Sequence, residues 1–337
     1  AGTSPRRGSV LGGGSRVPPR RTGPSRSGPR VVTPELPGTV RETGGGVYVV
    51  RLDSGAVVEA SLRGRLKREE RTGGRVVIGD RVRVESSDDA WTIEEVEPRR
   101  TELVRRGRGG RVAKVLVANL DRIFVVVALR DPPATTQLVD RLLALVEASG
   151  MHPALVLNKA DVDGAEEEAR RLVPLYRAAG YEVVVVSAAS GEGLEGFHDL
   201  VCSGTSALVG PSGVGKSSLL NAVAPELDLR TGALSRKTGT GRHTTVGSRL
   251  LSLECGGTVA DTPGFGDVGL WGVSPDELDA CFPDFTEPAE RCRFRGCAHL
   301  EEPGCGVRAA VDSGEVAASR YESYRTLRDE AEEAAAR

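Results

Sequence analysis

Ala207-Leu-Val-Gly-Pro-Ser-Gly-Val-Gly-Lys-Ser-Ser218 decides the fold. A short apolar run opens into the loop Gly210-Pro-Ser-Gly-Val-Gly-Lys-Ser217, and a helix is expected from Lys216. Glycines let such a loop curl around an anion, so that backbone N–H groups and the positive end of a helix face phosphate. In that reading Gly210, Pro211, Ser212, Gly213, Val214, Gly215 and Ser218 surround the phosphates of a nucleoside triphosphate. Lys216 bridges its β- and γ-phosphates as a catalytic cation, and Ser217 holds Mg2+. The bland reading is a glycine turn, but the strand before it and the helix after it are the context the motif requires. By itself the loop specifies a triphosphate and no base.

The base comes from Asn158-Lys-Ala-Asp161, at the end of another apolar run. A carboxylate at Asp161 accepts from both guanine N1–H and the exocyclic amine, donors that adenine does not offer in that arrangement. A pocket whose polar group is left unpaired rejects the wrong ligand strongly, which disfavours ATP. Lys159 is expected to lay its aliphatic stem along the base. Alone the tetrapeptide reads equally well as a surface turn, but Ser187-Ala188-Ala189 after the next apolar run supplies a second base-contacting loop. Asp261-Thr-Pro-Gly264 adds a metal-side element: Asp261 through water to Mg2+, and the Gly264 amide to the γ-phosphate. In the loop Lys237-Thr-Gly-Thr-Gly-Arg-His-Thr-Thr245, Thr244 or Thr245 can close over Mg2+, with Thr245 favoured. Such a loop is expected to order only around γ-phosphate. Many GTPases carry glutamine directly after the Asp-x-x-Gly glycine; here Phe265 stands there, so slow intrinsic turnover is expected. His243 is the candidate water-positioning group, and its alternative is a loop histidine that touches a partner.

An ordinary GTPase domain runs phosphate loop, switch threonine, Asp-x-x-Gly, then Asn-Lys-x-Asp. This chain places the last element first and so reads as a circular permutation of that domain. From residue 120 onward, apolar runs alternate with helical patterns: Ile123–Leu129, Gln137–Ala148 helix, Ala154–Leu157, Ala165–Ala179 helix, Val183–Val186, and Ala207–Val209. A hairpin of Leu250–Leu253 with Thr258–Ala260 follows. The pattern predicts a doubly wound α/β sheet over 112–273.

Upstream, Val47–Leu52, Ala56–Ala60, Ile78–Val84 and Trp91–Val96 are short β-branched runs, which predict an oligonucleotide-binding-type β-barrel over 38–98. Arg63, Arg65, Lys67, Arg68, Arg71 and Arg75 fall between strands, and they read either as a solvated rim or as a nucleic-acid contact. Residues 99–111 are expected to be a basic linker. Residues 1–37 form a Gly-, Ser- and Pro-rich segment with seven arginines before Glu35, expected to be a disordered basic tail. The 337 residues carry a net charge of -2 and no apolar targeting core near the N-terminus. A cytoplasmic protein with no membrane partner is expected, because the longest apolar run, Ile123–Leu129, is far too short to cross a bilayer.

Beyond 274 the pattern becomes helical and polar, around Cys292-x4-Cys297-x-His299-x5-Cys305. Three thiolates and an imidazole are the inventory of a closed, structural Zn2+ site, so 274–337 is expected to be a mostly helical zinc-binding domain. Arg291, Arg293, Arg295 and Arg308 make it basic. Cys202, Cys255 and Cys281 are scattered and read as plain thiols.

A barrel, a GTPase domain in this order and a Cys-Cys-His-Cys module together resemble the small-ribosomal-subunit-dependent GTPase A family. Gly241-Arg-His-Thr-Thr245 and Gln137-Leu-Val-Asp-Arg141 belong to the same resemblance, and an apolar residue at the Phe265 position is the family's pattern. The resemblance implies a monomeric GTP hydrolase with GTP/GDP, Mg2+ and one Zn2+. It would bind the 30S subunit and 16S rRNA late in assembly, be stimulated by the subunit and leave after hydrolysis. The alternatives are a GTP-gated RNA-binding protein whose hydrolysis is incidental, an ATP-using P-loop kinase or transport ATPase, and a GTPase acting on tRNA.

Overall fold

Alternating buried and exposed side chains build the first five strands: β1 (Leu36–Gly44), β2 (Val47–Leu52), β3 (Val57–Leu62), β4 (Arg81–Ser87) and β5 (Ala90–Val96). The computed structural model describes residues 34–71, 75–87, 90–105, 114–229, 248–261 and 273–336. The expected tail up to residue 33 and His243, Thr244, Thr245, Gly264 and Phe265 lie outside the described residues. β1 pairs antiparallel with β2 and β4, β2 with β3 and β4 with β5, while β3 and β5 run parallel, which closes a barrel in the order 1-2-3-5-4. Val40, Tyr48, Val50, Leu62, Val82, Val84 and Ile93 fill it. Helix α1 (Gly64–Arg71) bridges β3 and β4, where the sequence suggested only charged residues between strands. Its Leu66 plugs the barrel core, and Arg63, just before it, ion-pairs with Glu94.

The expected linker 99–111 is corrected in part. β6 (Glu102–Arg105) pairs with β7 (Lys114–Ala118) in a separate two-stranded sheet. Arg99 donates from Nε to the buried Asp80 carboxylate at 2.7 Å, and Asn119 donates to the Gly79 carbonyl at 2.9 Å while its own carbonyl accepts from the Arg100 amide. A solvent-facing spacer would leave Asp80 buried without a counter-charge; these contacts make a fixed joint instead.

Next come β8 (Arg122–Ala128), α2 (Thr136–Glu147), β9 (Ala154–Asn158), α3 (Ala165–Ala178), β10 (Val183–Val185), α4 (Leu194–Cys202), β11 (Thr205–Val209), α5 (Lys216–Val223), β12 (Arg249–Ser252) and β13 (Thr258–Asp261). β8 and β9 are apolar along nearly their whole length because helices cover both faces of the sheet. Strand order is β10-β9-β8-β11-β13-β12, parallel except for the β12–β13 hairpin. β12 then pairs with barrel strand β1 through Glu42 and Arg249, so one eleven-stranded sheet runs through both parts. Cys202 and Cys255 form a disulfide, a correction to the expectation of plain thiols, since the hairpin turn folds onto the end of α4.

The C-terminal part is helical as expected, with short 3-10 turns followed by α6 (Thr286–Glu290), α7 (Gly306–Ser313) and α8 (Ala318–Ala335). α8 packs on α2 through charges. Arg320, only 1% exposed, gives hydrogen bonds to Asp140 at 2.6 Å and to Asp284 at 2.7 and 2.8 Å, and lies over the Tyr176, Tyr181 and Phe282 rings. Arg141 forms a bidentate pair with Glu330, both contacts at 2.6 Å. Burial pushes the Asp140 carboxyl up to about 6 against the opposing pull of Arg320. Removing the guanidinium strands two buried carboxylates, so Arg320→Ala should cost about 3–5 kcal/mol in urea unfolding. The double variant Arg320→Met/Asp140→Leu should cost less than the sum of its single changes, because the two residues share one interaction.

Candidate nucleotide-binding site

Parallel pairing fixes where the motifs emerge. Ala207 of β11 is level with Ala260 of β13, and Ala128 of β8 with Asn158 of β9. Gly210, Asp261 and Asn158 therefore leave the same carboxyl edge of the sheet, the edge at which open α/β sheets bind ligands. Ser187 follows β10 at that edge.

Asn158 is the centre of the arrangement and is 2% exposed. Its amide nitrogen donates to the Val214 carbonyl in the phosphate loop at 2.8 Å, and its carbonyl accepts from the Ala188 amide at 3.3 Å. Three separate loops thus share one side chain. Glycine is required where they meet: Gly215 has φ +96°, and a Cβ there would stand 2.3 Å from Asn158 Nδ2. At Gly210 a Cβ would stand 2.0 Å from the Val126 carbonyl oxygen.

Asp161 is exposed and accepts the buried Ser187 hydroxyl at 2.5 Å; Ser187 Oγ in turn accepts from the Ala189 and Ser190 amides at 3.2 and 3.0 Å. A carboxylate has about four lone-pair sites, so one hydroxyl orients it and leaves capacity for a ligand's two donors. Lys159 adopts φ +65° and its ammonium reaches the Asp131 carbonyl.

In the phosphate loop, Lys216 Nζ donates to the Gly210 and Pro211 carbonyls, both at 2.7 Å. Burial holds its pKa below the usual lysine value. The loop closes around its own cation, and anionic phosphate is the natural further partner for a part-buried ammonium. Ser217 and Ser218 occupy the first turn of α5, and Pro211, Ser212 and Gly213 line the loop's outer side. Asp261 ends β13 with Arg249 Nε 3.4 Å from its carboxylate.

A second cluster lies in the C-terminal part. The ligand atoms of Cys292, Cys297, His299 and Cys305 all lie within 4.8 Å of one another. His299 turns Nδ1 inward, 3.6 Å from Cys292 Sγ and 3.4 Å from Cys305 Sγ, and places Nε2 3.5 Å from Asp279 Oδ2. The Gly306 and Arg308 amides point at the Cys292 and Cys305 sulfurs, at 3.2 and 3.4 Å. Three thiols with a carboxylate-backed histidine fit a tetrahedral zinc ion held by four protein ligands. Tyr321 and Tyr324 donate to the His299 and Ala298 carbonyls, tying the cluster to α8. Sequence reading missed Phe294. This exposed ring lies between Arg293 and Arg295 in the Cys292–Cys297 loop, with the Arg293 guanidinium 5.4 Å from its centroid.

Fold and site together define a circularly permuted GTPase with an N-terminal barrel. The RsgA GTPase family model matches residues 96–271. Over 303 residues the chain is 46% identical to the small ribosomal subunit biogenesis GTPase RsgA of Gemmatimonas aurantiaca, covering 89% of this chain and 98% of that protein. The protein of the same name from Moorella thermoacetica is 41% identical over 87% of this chain and 96% of its own length. The crystal structure of YjeQ from Thermotoga maritima superposes with a TM-score of 0.73 at 32% identity, covering 88% of this chain and 98% of that one. YloQ, described as a circularly permuted GTPase, gives 0.72 at 30% identity over 90% and 97%. The chain belongs to the RsgA GTPase family.

Asn158→Ala leaves the Val214 carbonyl and the Ala188 amide without their partner. It should lower stability by about 1–3 kcal/mol and weaken GDP binding in isothermal titration. Metal analysis of purified protein should find one zinc per chain, lost in Cys297→Ser together with a lowered melting temperature.

Proposed function

We propose that this protein binds GTP with Mg2+ at the carboxyl edge of its sheet, hydrolyses it to GDP and phosphate, and does so on the small ribosomal subunit during late maturation. The observation that carries the nucleotide reading is the convergence of Asn158, Asp161, Ser187 and the phosphate loop on one edge. The small-subunit reading is supported by the names of the relatives and by the Arg293-Phe294-Arg295 tip. A guanidinium and an exposed ring offer phosphate contact and a stacking face for an unpaired base.

Asp161 reads guanine, Lys159 and Ala188 flank the base, and the loop amides with Lys216 hold the phosphates. Ser217 and Thr245 would hold Mg2+, with Asp261 acting through water, and the Gly264 amide would serve the γ-phosphate. His243 positions the attacking water once the subunit is bound; added partner groups raise turnover by about 10³–10⁵ in comparable systems. Zinc held by Cys292, Cys297, His299 and Cys305 would supply structural cross-linking, and the chain's own residues do the chemistry.

Hydrolysis releases the protein through the β12–β13 hairpin. Arg41 of β1 donates to the Leu250 carbonyl at 3.1 Å and to Ser252 Oγ, so a shift of the strand that ends in Asp261 is felt by the barrel. The protein acts as a monomer in the cytoplasm. Among the described residues no helix is long and apolar enough to cross a membrane.

Pelleting with purified 30S, 50S or tRNA and a non-hydrolysable GTP analogue tests the partner. Retention by 30S alone is expected, and equal retention by tRNA would refute it. Asp161→Asn should cost at least about 10²-fold in GTP affinity, measured by competition against a fluorescent GDP analogue. His243→Ala should abolish most 30S stimulation in single-turnover hydrolysis while leaving GTP affinity within about threefold; undiminished stimulation would remove His243 from the mechanism.

A further inference from the structure

Cys202 and Cys255 join the last turn of α4 to the turn of the β12–β13 hairpin, with Cα atoms 5.6 Å apart. Contacts other than the bond also join these two elements. Gly257 packs so closely on α4 that a Cβ would stand 2.4 Å from the Val201 carbonyl oxygen and 2.8 Å from Cys202 Cα. The Thr258 amide donates to the Gly204 carbonyl at 2.9 Å, and Leu253 is buried in the core beside α4 and α5. These contacts, made by residues beside the two cysteines, hold the hairpin turn against the end of α4.

The local chemistry favours reaction. Cys255 is exposed and Cys202 half-buried, so a small solute reaches both. One turn back along α4, His198 Nε2 lies 3.4 Å from Cys202 Sγ, and its Nδ1 lies 3.5 Å from Asp199 Oδ1. An imidazole nitrogen at that distance is placed to take the thiol proton when the sulfur is reduced.

We propose that Cys202 and Cys255 are a reversible hydroperoxide-responsive thiol pair, activated by His198, that locks the β12–β13 hairpin to α4. The Cys202 thiolate attacks the peroxide oxygen and the O–O bond breaks. Cys202 becomes a sulfenic acid while the departing alkoxide or hydroxide takes the proton held on His198. The Cys255 thiol then attacks the sulfenic sulfur, forming the S–S bond and expelling water. Two electrons pass from the two thiols to the peroxide, and a dithiol reverses the reaction by exchange. The lock holds the closed end of a hairpin whose open end carries Arg249 and Asp261 and whose outer strand pairs with the barrel. The thiol chemistry stands independently of the proposed function; only the effect on the nucleotide cycle rests on it.

The test uses the full-length, zinc-loaded, reduced protein and hydrogen peroxide at stoichiometric concentration. Peptide mapping should recover a Cys202–Cys255 cross-link that forms about tenfold more slowly in His198→Gln and His198→Ala. In Cys255→Ser, dimedone should trap a sulfenic acid on Cys202. Hydrogen exchange across 249–261 should slow on oxidation of the wild type and stay unchanged in Cys202→Ser. Failure to form the cross-link, equal rates in the His198 variants, or identical exchange in oxidised and reduced protein would overturn the proposal. Guanine-nucleotide binding by the reduced protein, measured alongside, separates failure of the lock from failure of the GTPase reading.

Discussion

One buried amide holds the nucleotide site together. Asn158 bonds to Val214 on one side and Ala188 on the other, joining loops that follow β9, β10 and β11. Circular permutation changes the chain order of these loops but leaves unchanged which strand each one follows, because register fixes the carboxyl edge. The order β9-β8-β11, with Ala128 opposite Asn158 and Val125 opposite Val209, brings the late phosphate loop to the early base-reading loop. Gly215 is the matching constraint on the other partner, since any side chain there would displace Asn158.

Permutation also sets what the site can move. The β12–β13 hairpin reaches the carboxyl edge at Asp261 and, through β1, the barrel. The C-terminal part is held from the opposite flank of the sheet by Arg320 with Asp140 and by Glu330 with Arg141. The hairpin link is made of one register pair and arginine hydrogen bonds near solvent, whereas the Arg320 link is buried on every side. Buried charge pairs fix geometry and exposed contacts yield first, so the hairpin is the compliant connection and α2–α8 the rigid one.

Most of the α/β sheet was legible in the sequence. Strands buried on both faces read as continuous apolar runs, and β9, β10 and β11 fall within two residues of the positions expected from those runs. The barrel was legible in β2 to the residue, as a short β-branched run between turns. β1 and β6 were not, because Pro37 and Gly38 break the pattern in one and flanking arginines mask Leu103 and Val104 in the other. The helical character of α1 was hidden by its charge, with the Leu62 to Leu66 spacing as the only clue. Among candidate site residues, the loop glycines and Asp161 were placed by the motifs after apolar runs, and the structure has them after β11 and β9. The links made by Asp140, Arg141 and Arg320 could not, since their partners lie far off in the chain. The Cys202–Cys255 pair spans 53 residues, and no local signal relates the two.

The central claim is that separated segments rebuild a single guanine-specific pocket around Asn158 and Asp161. Equilibrium competition of GDP and ADP for the wild-type protein, read by displacement of a fluorescent guanine nucleotide, tests it most directly. The account predicts a preference for GDP of about 10³-fold or more, because adenine would leave the Asp161 carboxylate unpaired. Comparable affinities for the two nucleotides would contradict it.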